Sequence, residues 1–414
     1  MVPDGAGAGR DRPAASVQPT HGISPEGPAD DGPASGRAGV EGSPVTSAGG
    51  IRERLLPALI VLAVLLSTIP MFFAIYRDAA FNTVPHDDYA VSLLALLGDR
   101  GSPPSRQETV LADAPYGYRV LSVAVAIPFY VLLPYYPFSN LEEPDEPSLR
   151  AAAALAMVSY LAILLTVLVI YRIARDRLEA SRGASLLAAV LGVALMDFVA
   201  AIGVDPLAIL VIGLLVYFID RPSIYVPLIV VSAAINEKIL IVFVVLFAAR
   251  LVAWLIRHRS FRGYGYWPQT AGTAVAVLAY VAMRLVLQLP GGAAHTEPTN
   301  WFDQAVSTIA VSLSMKGLVL NGIPLLIVAI LVGGAVVVLR RRETWSSLWP
   351  SDAIVAPVLL VVGVIIGAEF TVGRLVMYSY PLYLPLLALL LDRVFLESRG
   401  PGDSMGITAR AGPA

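Results

Sequence analysis

The run AAAALAMVSYLAILLTVLVIYRI, residues 151–173, decides the fold class of this chain. An α-helix needs about 20 predominantly apolar residues to cross the hydrocarbon core of a bilayer, and this run supplies them with one charged residue, Arg172. Across all 414 residues, 57% are hydrophobic and 14% are charged, too few charges to cover the surface of a soluble domain. The sequence therefore predicts an all-α, polytopic transmembrane helical bundle.

Similar apolar runs recur between residues 51 and 396, and together they predict about eleven segments in the transmembrane domain. The range 223–257 is too long for one helix and has Asn236-Glu237-Lys238 in its middle, so we expect two pieces there. The predicted segments are 55–76, 119–137, 151–173, 184–203, 206–219, two within 223–257, 268–288, 317–339, 352–368 and 374–392.

The two ends of the chain differ from this domain. Residues 1–50 are rich in Gly, Pro, Ala and Ser without an apolar run, which predicts a disordered tail, and residues 397–414 predict a short flexible tail. Arg52 and Arg54 precede the first span, and positive charge favours the cytoplasmic side. We therefore expect a multi-pass protein of the plasma membrane with both tails in the cytoplasm and residues 77–118 as the first external loop.

The segment 119–137 allows two topologies, because Pro128 and Pro134 interrupt it. If it crosses the membrane fully, the arginine cluster at 172–182 lies outside, against the positive-inside tendency. If it enters and returns, all later loops obey that tendency, and its irregular backbone needs a protein-lined or wet cavity. The sequence is consistent with both topologies.

The first external loop carries His86-Asp87-Asp88-Tyr89. Asp87 or Asp88 can cap a short helix over residues 89–98, where Val91, Leu94 and Leu97 recur at helical spacing before Gly98. We expect this helix to lie along the membrane surface with its apolar side down.

Charged residues at the predicted outer ends of separate helices form the candidate site. Ionisable groups in or near membrane spans are costly, which makes them functional candidates. Their one-sided placement favours a site working on a lipid-borne substrate. The residues are Asp87, Asp88, Arg119, Asp205, Glu237, Lys238, Arg284, Lys316, Glu369 and Arg374.

This mixture of signs suits sugar transfer from a lipid phosphate. A carboxylate, Asp87 or Asp88, would take the proton from an acceptor hydroxyl as catalytic base. Cations would stabilise the negative charge that develops on the phosphate, and Arg119, Lys238 and Arg374 are the candidate donor-phosphate ligands. The predicted supporting residues are His86, Tyr89, Tyr118, Glu237, Arg284 and Glu369.

The pattern resembles the integral-membrane glycosyltransferases of the C-type fold, which use polyprenyl-phosphate sugar donors. The resemblance covers roughly residues 52–395. It rests on His86-Asp87-Asp88-Tyr89, Tyr118-Arg119-Val120-Leu121, the corner Glu237-Lys238, and Glu369 to Arg374 before Tyr380-Pro381. It implies that the loop acid is the base, that the sugar carbon is inverted, and that a glycan or lipid of the cell envelope is the acceptor. We expect no large soluble domain after the last span, whereas many members of that family have one there.

Several simpler interpretations compete with these roles. They make Asp87 and Asp88 a helix cap, Arg119 a snorkelling anchor, Glu237 and Lys238 a mutual pair, and Asp205 a turn residue before Pro206. Without cysteines, and without two histidines at helical spacing, neither a metal nor another cofactor is supported, although a divalent metal is possible. We predict no nucleic-acid partner. A transporter or flippase of a lipid-linked or small anionic substrate and a non-catalytic membrane scaffold remain the alternative functions.

Overall fold

A computed structural model describes residues 88–98, 119–132, 146–196, 205–287, 301–339, 351–365 and 372–398, with isolated positions at 62, 66 and 69. These residues contain no β-strand, so the all-α prediction is confirmed for the described part of the chain. Several predictions lie outside it. They concern both predicted tails except for Glu397–Ser398, nearly all of the first span, His86, Asp87, Tyr118, residues 133–145 and Glu369.

The α-helices follow one another in the order α1 (Asp88–Leu97), α2 (Val120–Ala124), α3 (Ile127–Leu132), α4 (Glu146–Asp176), α5 (Arg182–Met196), α6 (Asp205–Tyr217), α7 (Pro222–Ser232), α8 (Glu237–His258), α9 (Trp267–Leu287), α10 (Trp301–Ser312), α11 (Met315–Gly317), α12 (Ile323–Leu339), α13 (Val355–Ile365), α14 (Val372–Met377) and α15 (Tyr380–Ser398). A π-helical segment, Leu318–Gly322, joins α11 to α12, and a 3₁₀ turn, Ser351–Ile354, precedes α13.

Four helical stretches in the described residues are long and apolar enough to cross a membrane: Arg150–Asp176, Glu237–His258, Trp267–Leu287 and Met315–Val337. Five further apolar helical stretches in this part are shorter, at 10–17 residues each. These helices indicate a membrane protein. The described part does not establish the full count of about eleven segments.

The predicted break within 223–257 is present. Pro222, whose missing N–H costs nothing at a first helical position, begins α7. The turn Ala233–Asn236 follows, and the Asn236 side chain caps α8 by accepting the Lys238 backbone N–H at 3.0 Å. The chain thus reverses at the charged pair Glu237-Lys238.

The loop helix α1 ends as predicted, at Gly98 with φ +69°, a conformation that suits glycine. Its apolar side, however, contacts protein. Leu93 and Leu94 are fully buried in a small core with Val123 and Ala126 at α2–α3 and Leu155 on α4. The prediction that the apolar side of α1 faces the membrane is therefore wrong for Leu93 and Leu94, which face protein.

The segment 119–137 is described as far as Leu132, as the two short helices α2 and α3. The Arg150 guanidinium donates to the Val131 carbonyl at 3.1 Å and lies 5.1 Å from the centre of the Tyr130 ring. The end of α3 therefore lies beside the beginning of α4. Whether this segment crosses or re-enters depends on residues 133–145, outside the described part.

Helices α4 and α6 run in parallel, with their carboxyl ends side by side. The Tyr217 hydroxyl donates to Asp176 at 2.9 Å, and Arg177 forms an ion pair with Asp220 at 3.0 Å. The Gln269 side chain, at the beginning of α9, donates to the Ile219 carbonyl at 2.7 Å. Among the described residues, the arginine-containing connections that follow α4, α6 and α8 thus lie together at one end of the bundle.

Candidate functional site

The first half of the site is an ion pair between Arg119, which precedes α2, and Glu237, which begins α8. Arg119 Nε donates to Glu237 Oε2 at 3.0 Å, and its Nη2 contacts Oε1, so the carboxylate is held by both sides of the guanidinium fork. Its Nη1 donates to the Tyr89 hydroxyl at 2.8 Å. Burial raises the pKa of the Tyr89 hydroxyl, although the Arg119 charge opposes the shift, so this hydroxyl stays protonated.

The second half of the site is centred on Asp205, the first residue of α6, which is 3% exposed. Its Oδ2 forms an ion pair with Arg374 on α14, and its Oδ1 accepts from the Tyr378 hydroxyl. Lys238 Nζ lies 4.0 Å from the same Oδ1. Two cations and one hydroxyl, from two distant parts of the sequence, therefore surround a single carboxylate.

Tyr378 links these groups to the α7–α8 turn. Its hydroxyl accepts from Asn236 Nδ2 at 3.4 Å and from Lys238 Nζ at 3.5 Å, and the Lys238 ammonium lies 5.2 Å from its ring centre. The same turn also binds the beginning of α2, because the Leu121 N–H donates to the Ala234 carbonyl at 3.2 Å. Backbone and side-chain contacts together join the two halves.

We use the name polar cluster for Tyr89, Arg119, Asp205, Asn236, Glu237, Lys238, Arg374 and Tyr378. Its three cations and two carboxylates leave one net positive charge. Arg119 is 7% exposed and already bound by Glu237, whereas the side chains of Lys238 and Arg374 are 26% and 37% exposed. Lys238 and Arg374 are thus the cations most accessible to an anionic ligand.

Arg374 is positioned by a close approach between its neighbour Gly373 and the π-helical segment. The Gly373 N–H donates to Asn321 Oδ1 at 2.8 Å, and Asn321 Nδ2 donates to Ser312 Oγ at 3.0 Å. A Cβ at Gly373 would overlap the Leu320 carbonyl oxygen. Wide π-helical turns often occur at functional sites, and here one supplies the surface that α14 contacts.

The structure brings together five of the charged residues that the sequence placed on one face: Arg119, Asp205, Glu237, Lys238 and Arg374. Tyr89 joins them, while Asp88 begins α1 beside it. Arg284 lies instead in the last turn of α9, with its guanidinium 5.6 Å from the centre of the Tyr280 ring, and Lys316 lies in α11. His86, Asp87, Tyr118 and Glu369 lie outside the described residues.

Three simpler interpretations differ from the observed contacts. The Arg119 side chain is buried and paired, so it is not a snorkelling anchor. Glu237 and Lys238 bind different partners, Arg119 and Asp205, rather than each other. Asp205 is buried and forms ion pairs with Lys238 and Arg374. The interpretation of Asp205 as a turn residue before Pro206 does not account for these pairs.

Sequence reasoning missed two neutral members of the cluster, Asn236 and Tyr378, whereas it included Tyr89 among the supporting residues. Asn236 precedes the charged pair at the predicted helix break, which was the signal for a capping residue. Tyr378 carried no comparable signal, because a tyrosine near a span end is typical of the membrane interface. Nothing local in the sequence indicates that its hydroxyl contacts Asp205.

A second buried ion pair lies nearer the arginine-rich end. Arg250 Nε and Nη2 donate to the two Asp352 carboxylate oxygens at 2.8 and 2.6 Å, and the guanidinium lies 4.7 Å from the centre of the Tyr266 ring. Arg250 follows Glu237 by thirteen residues on α8, which corresponds to about 20 Å. This pair connects α8 to the 3₁₀ turn before α13, away from the polar cluster.

Comparison of the chain with protein-family models, curated proteins and solved structures finds no match. Within the described residues, no group of three His, Asp or Glu side chains is arranged to hold a metal ion. The polar cluster therefore provides the basis for a function.

Glu237→Gln should destabilise the protein by about 3–5 kcal/mol, because Arg119 would keep its charge in a buried site without its carboxylate. The double variant Arg119→Gln/Glu237→Gln should recover part of this loss, since no charge is then stranded. Thermal unfolding in detergent measures both. Asp220→Asn is the control, because Asp220 is 57% exposed in its pair with Arg177 and should cost at most about 1 kcal/mol. Equal losses for the single and double variants would contradict this account.

Gly373→Ala should separate α14 from the π-helical segment, because the new methyl group and the Leu320 carbonyl cannot occupy the same space. We expect a lower unfolding temperature than in the wild type. Gly333→Ala on α12 is the matched control, since no heavy atom lies within 4 Å of the added Cβ, and alanine favours a helix interior. A Gly373→Ala protein as stable as the Gly333→Ala protein would show that the close approach is not required.

Proposed function

We propose that this protein is a membrane glycosyltransferase that moves a sugar from a polyprenyl-phosphate donor to a cell-envelope acceptor at the outer face of the plasma membrane. The observation that carries the proposal is the hydrogen bond from Arg119 to Tyr89. Tyr89 follows Asp88 directly, at a Cα–Cα spacing of about 3.8 Å, so the acidic start of α1 is tied to the cations of the polar cluster. Sugar transfer from a lipid phosphate needs a carboxylate base close to the cations that bind the phosphate.

In the proposed reaction, Asp87 or Asp88 accepts the proton of the acceptor hydroxyl. The acceptor oxygen forms a bond to the anomeric carbon of the sugar while the bond from that carbon to the phosphate oxygen breaks, with inversion at the carbon. The bonding electrons leave with the polyprenyl phosphate. Lys238 and Arg374 stabilise the resulting charge, because they are the accessible cations beside Asp205.

The contacts of Arg119 and Glu237 support a narrower role than direct phosphate binding. Both carboxylate oxygens of Glu237 accept hydrogen bonds from the Arg119 guanidinium. The third guanidinium nitrogen of Arg119, Nη1, donates to the Tyr89 hydroxyl. We therefore assign Arg119 chiefly to positioning α1 relative to the cations, with Glu237 holding Arg119. The donor-phosphate role predicted for all three cations is thereby concentrated on Lys238 and Arg374.

The test is transfer of labelled sugar from a panel of polyprenyl-phosphate hexoses and pentoses to membrane acceptors. Asp87→Asn or Asp88→Asn, whichever removes the base, should lower the rate by about 10²–10⁴-fold. Lys238→Gln and Arg374→Gln should each lower it by about 10²–10³-fold, as expected for lost charge stabilisation in the transition state. Arg172→Gln, an exposed arginine on α4, is the charge-matched control for Arg374→Gln. Unchanged rates in both aspartate variants and in their double variant, with intact expression, would refute the assignment.

A transporter or flippase of a lipid-linked or small anionic substrate is the second candidate, and the short helix α7 favours it. The 11 residues of α7, between its caps Arg221 and Ala233, span about 17 Å, less than the hydrocarbon core of about 30 Å. Charged groups at the ends of such short helices are typical of transport sites. Alternating access would then expose the polar cluster to each side in turn.

Cysteine accessibility separates the two functions, and the chain has no cysteine of its own. Val120→Cys places a label next to Arg119 at a position that is 37% exposed. We expect impermeant reagents to reach it from the outer side only, with Arg262→Cys as the reporter for the opposite side. Labelling of Val120→Cys from both sides, with Arg262→Cys labelled from one, would favour transport over transfer.

A further inference from the structure

The connection between α8 and α9 is a hairpin whose exposed surface carries both apolar and cationic side chains. We use the name basic hairpin for residues 254–267. Helix α8 ends where Arg259 takes a left-handed conformation, φ +49°, and its N–H donates to the Leu255 carbonyl at 2.7 Å. Gly263, at φ +81°, makes the second turn before α9 begins at Trp267. Left-handed backbone suits glycine, and an arginine in that conformation marks a tightly specified turn.

Two tryptophans hold this turn in place. The Trp254 indole N–H donates to the Ser260 carbonyl at 2.9 Å, and the Trp267 indole N–H donates to the Phe261 carbonyl at 3.3 Å. The Trp254 ring also stacks on His258 with centroids 3.8 Å apart, and Tyr264 is buried against both tryptophans. The exposed side chains of the hairpin are therefore presented by a defined framework.

The exposed surface of the hairpin combines apolar and cationic groups. Ile256, Phe261 and Trp267 are 76%, 57% and 43% exposed, and Arg257, Arg259 and Arg262 are exposed beside them. The chain has no Asp or Glu between residues 239 and 296 to balance these arginines. Asp220 and Asp352, on neighbouring elements, are each paired with another arginine, Arg177 and Arg250.

The basic hairpin and the polar cluster lie at opposite ends of α8. The 22 residues of α8 span about 33 Å, so the hairpin lies one membrane thickness from Glu237, at the opposite end of the helix. Aromatic rings at that depth insert among lipid headgroups, and clustered arginines attract anionic lipid at the surface. Guanidinium groups also form two parallel hydrogen bonds with a phosphate. In a zwitterionic headgroup the lipid's own ammonium group competes with arginine for that phosphate, so an anionic headgroup binds better.

We propose that the basic hairpin is a binding site for the headgroup of an anionic phospholipid in the surrounding bilayer. Arg257, Arg259 and Arg262 bind the lipid phosphate and its net charge, while Phe261 and Trp267 lie against the glycerol and upper acyl region. The site is separate from the polar cluster and does not depend on the proposed transferase activity.

The test is native mass spectrometry of the purified protein, titrated with phosphatidylglycerol or phosphatidylcholine of the same acyl chains. The wild type should retain phosphatidylglycerol preferentially. Arg257→Gln/Arg259→Gln/Arg262→Gln should weaken its binding by about 100-fold, as expected when three interfacial arginines are lost. Phe261→Ala should weaken binding of both lipids without changing the charge.

The matched control is Arg172→Gln/Arg182→Gln/Arg221→Gln, which removes three exposed arginines outside the hairpin and should retain wild-type binding. Equal losses in the two triple variants would show diffuse attraction rather than a site and would overturn the proposal. So would equal retention of the two lipids by the wild type. Displacement of phosphatidylglycerol by millimolar inorganic phosphate would assign the arginines to a soluble anion instead. Unfolding temperatures in phosphatidylcholine verify that every variant is folded.

Discussion

The pairing of Asp205 with Lys238, Arg374 and the Tyr378 hydroxyl is the interaction on which the arrangement of helix ends depends. A carboxylate that is almost completely buried beside apolar helices is tolerated only when charges and hydrogen bonds compensate it. Those partners come from α8 and α14–α15, so satisfying one carboxylate fixes three parts of the bundle. The Arg119–Glu237 pair adds α2, and Tyr89 adds α1.

Much of this organisation was accessible from the sequence, for physical reasons. Apolar length set the helical class, and the interruption at Asn236-Glu237-Lys238 set the break between α7 and α8. Charges at helix ends need shared polar surroundings, and this constraint predicts from the sequence alone that five charged residues lie on one face: Arg119, Asp205, Glu237, Lys238 and Arg374. Helix length, helix breaks and the placement of charges can all be read from short stretches of sequence.

The identity of the partners was not accessible in this way. Adjacent residues such as Glu237 and Lys238 invite the interpretation that they pair, yet helical geometry turns their side chains towards different neighbours, Arg119 and Asp205. The close approach of Gly373 to the π-helical segment depends on how α12 and α14 pack, and a glycine before an arginine does not reveal it. Leu93 and Leu94 likewise show an apolar face without showing whether lipid or protein covers it.

The sequence separations within the polar cluster also bear on how the chain is made. Arg119 and Glu237 are 118 residues apart, and Asp205 and Tyr378 are 173 residues apart. During synthesis, Asp205 leaves the ribosome long before the helices that neutralise it, because Arg374 and Tyr378 belong to the last part of the bundle. The chain therefore makes α6 and α8 before Arg374 and Tyr378 exist, and until then Lys238 is the one observed partner of Asp205 that has been synthesised. Completion of α14 and of the turn before α15 then supplies the remaining two partners, Arg374 and the Tyr378 hydroxyl.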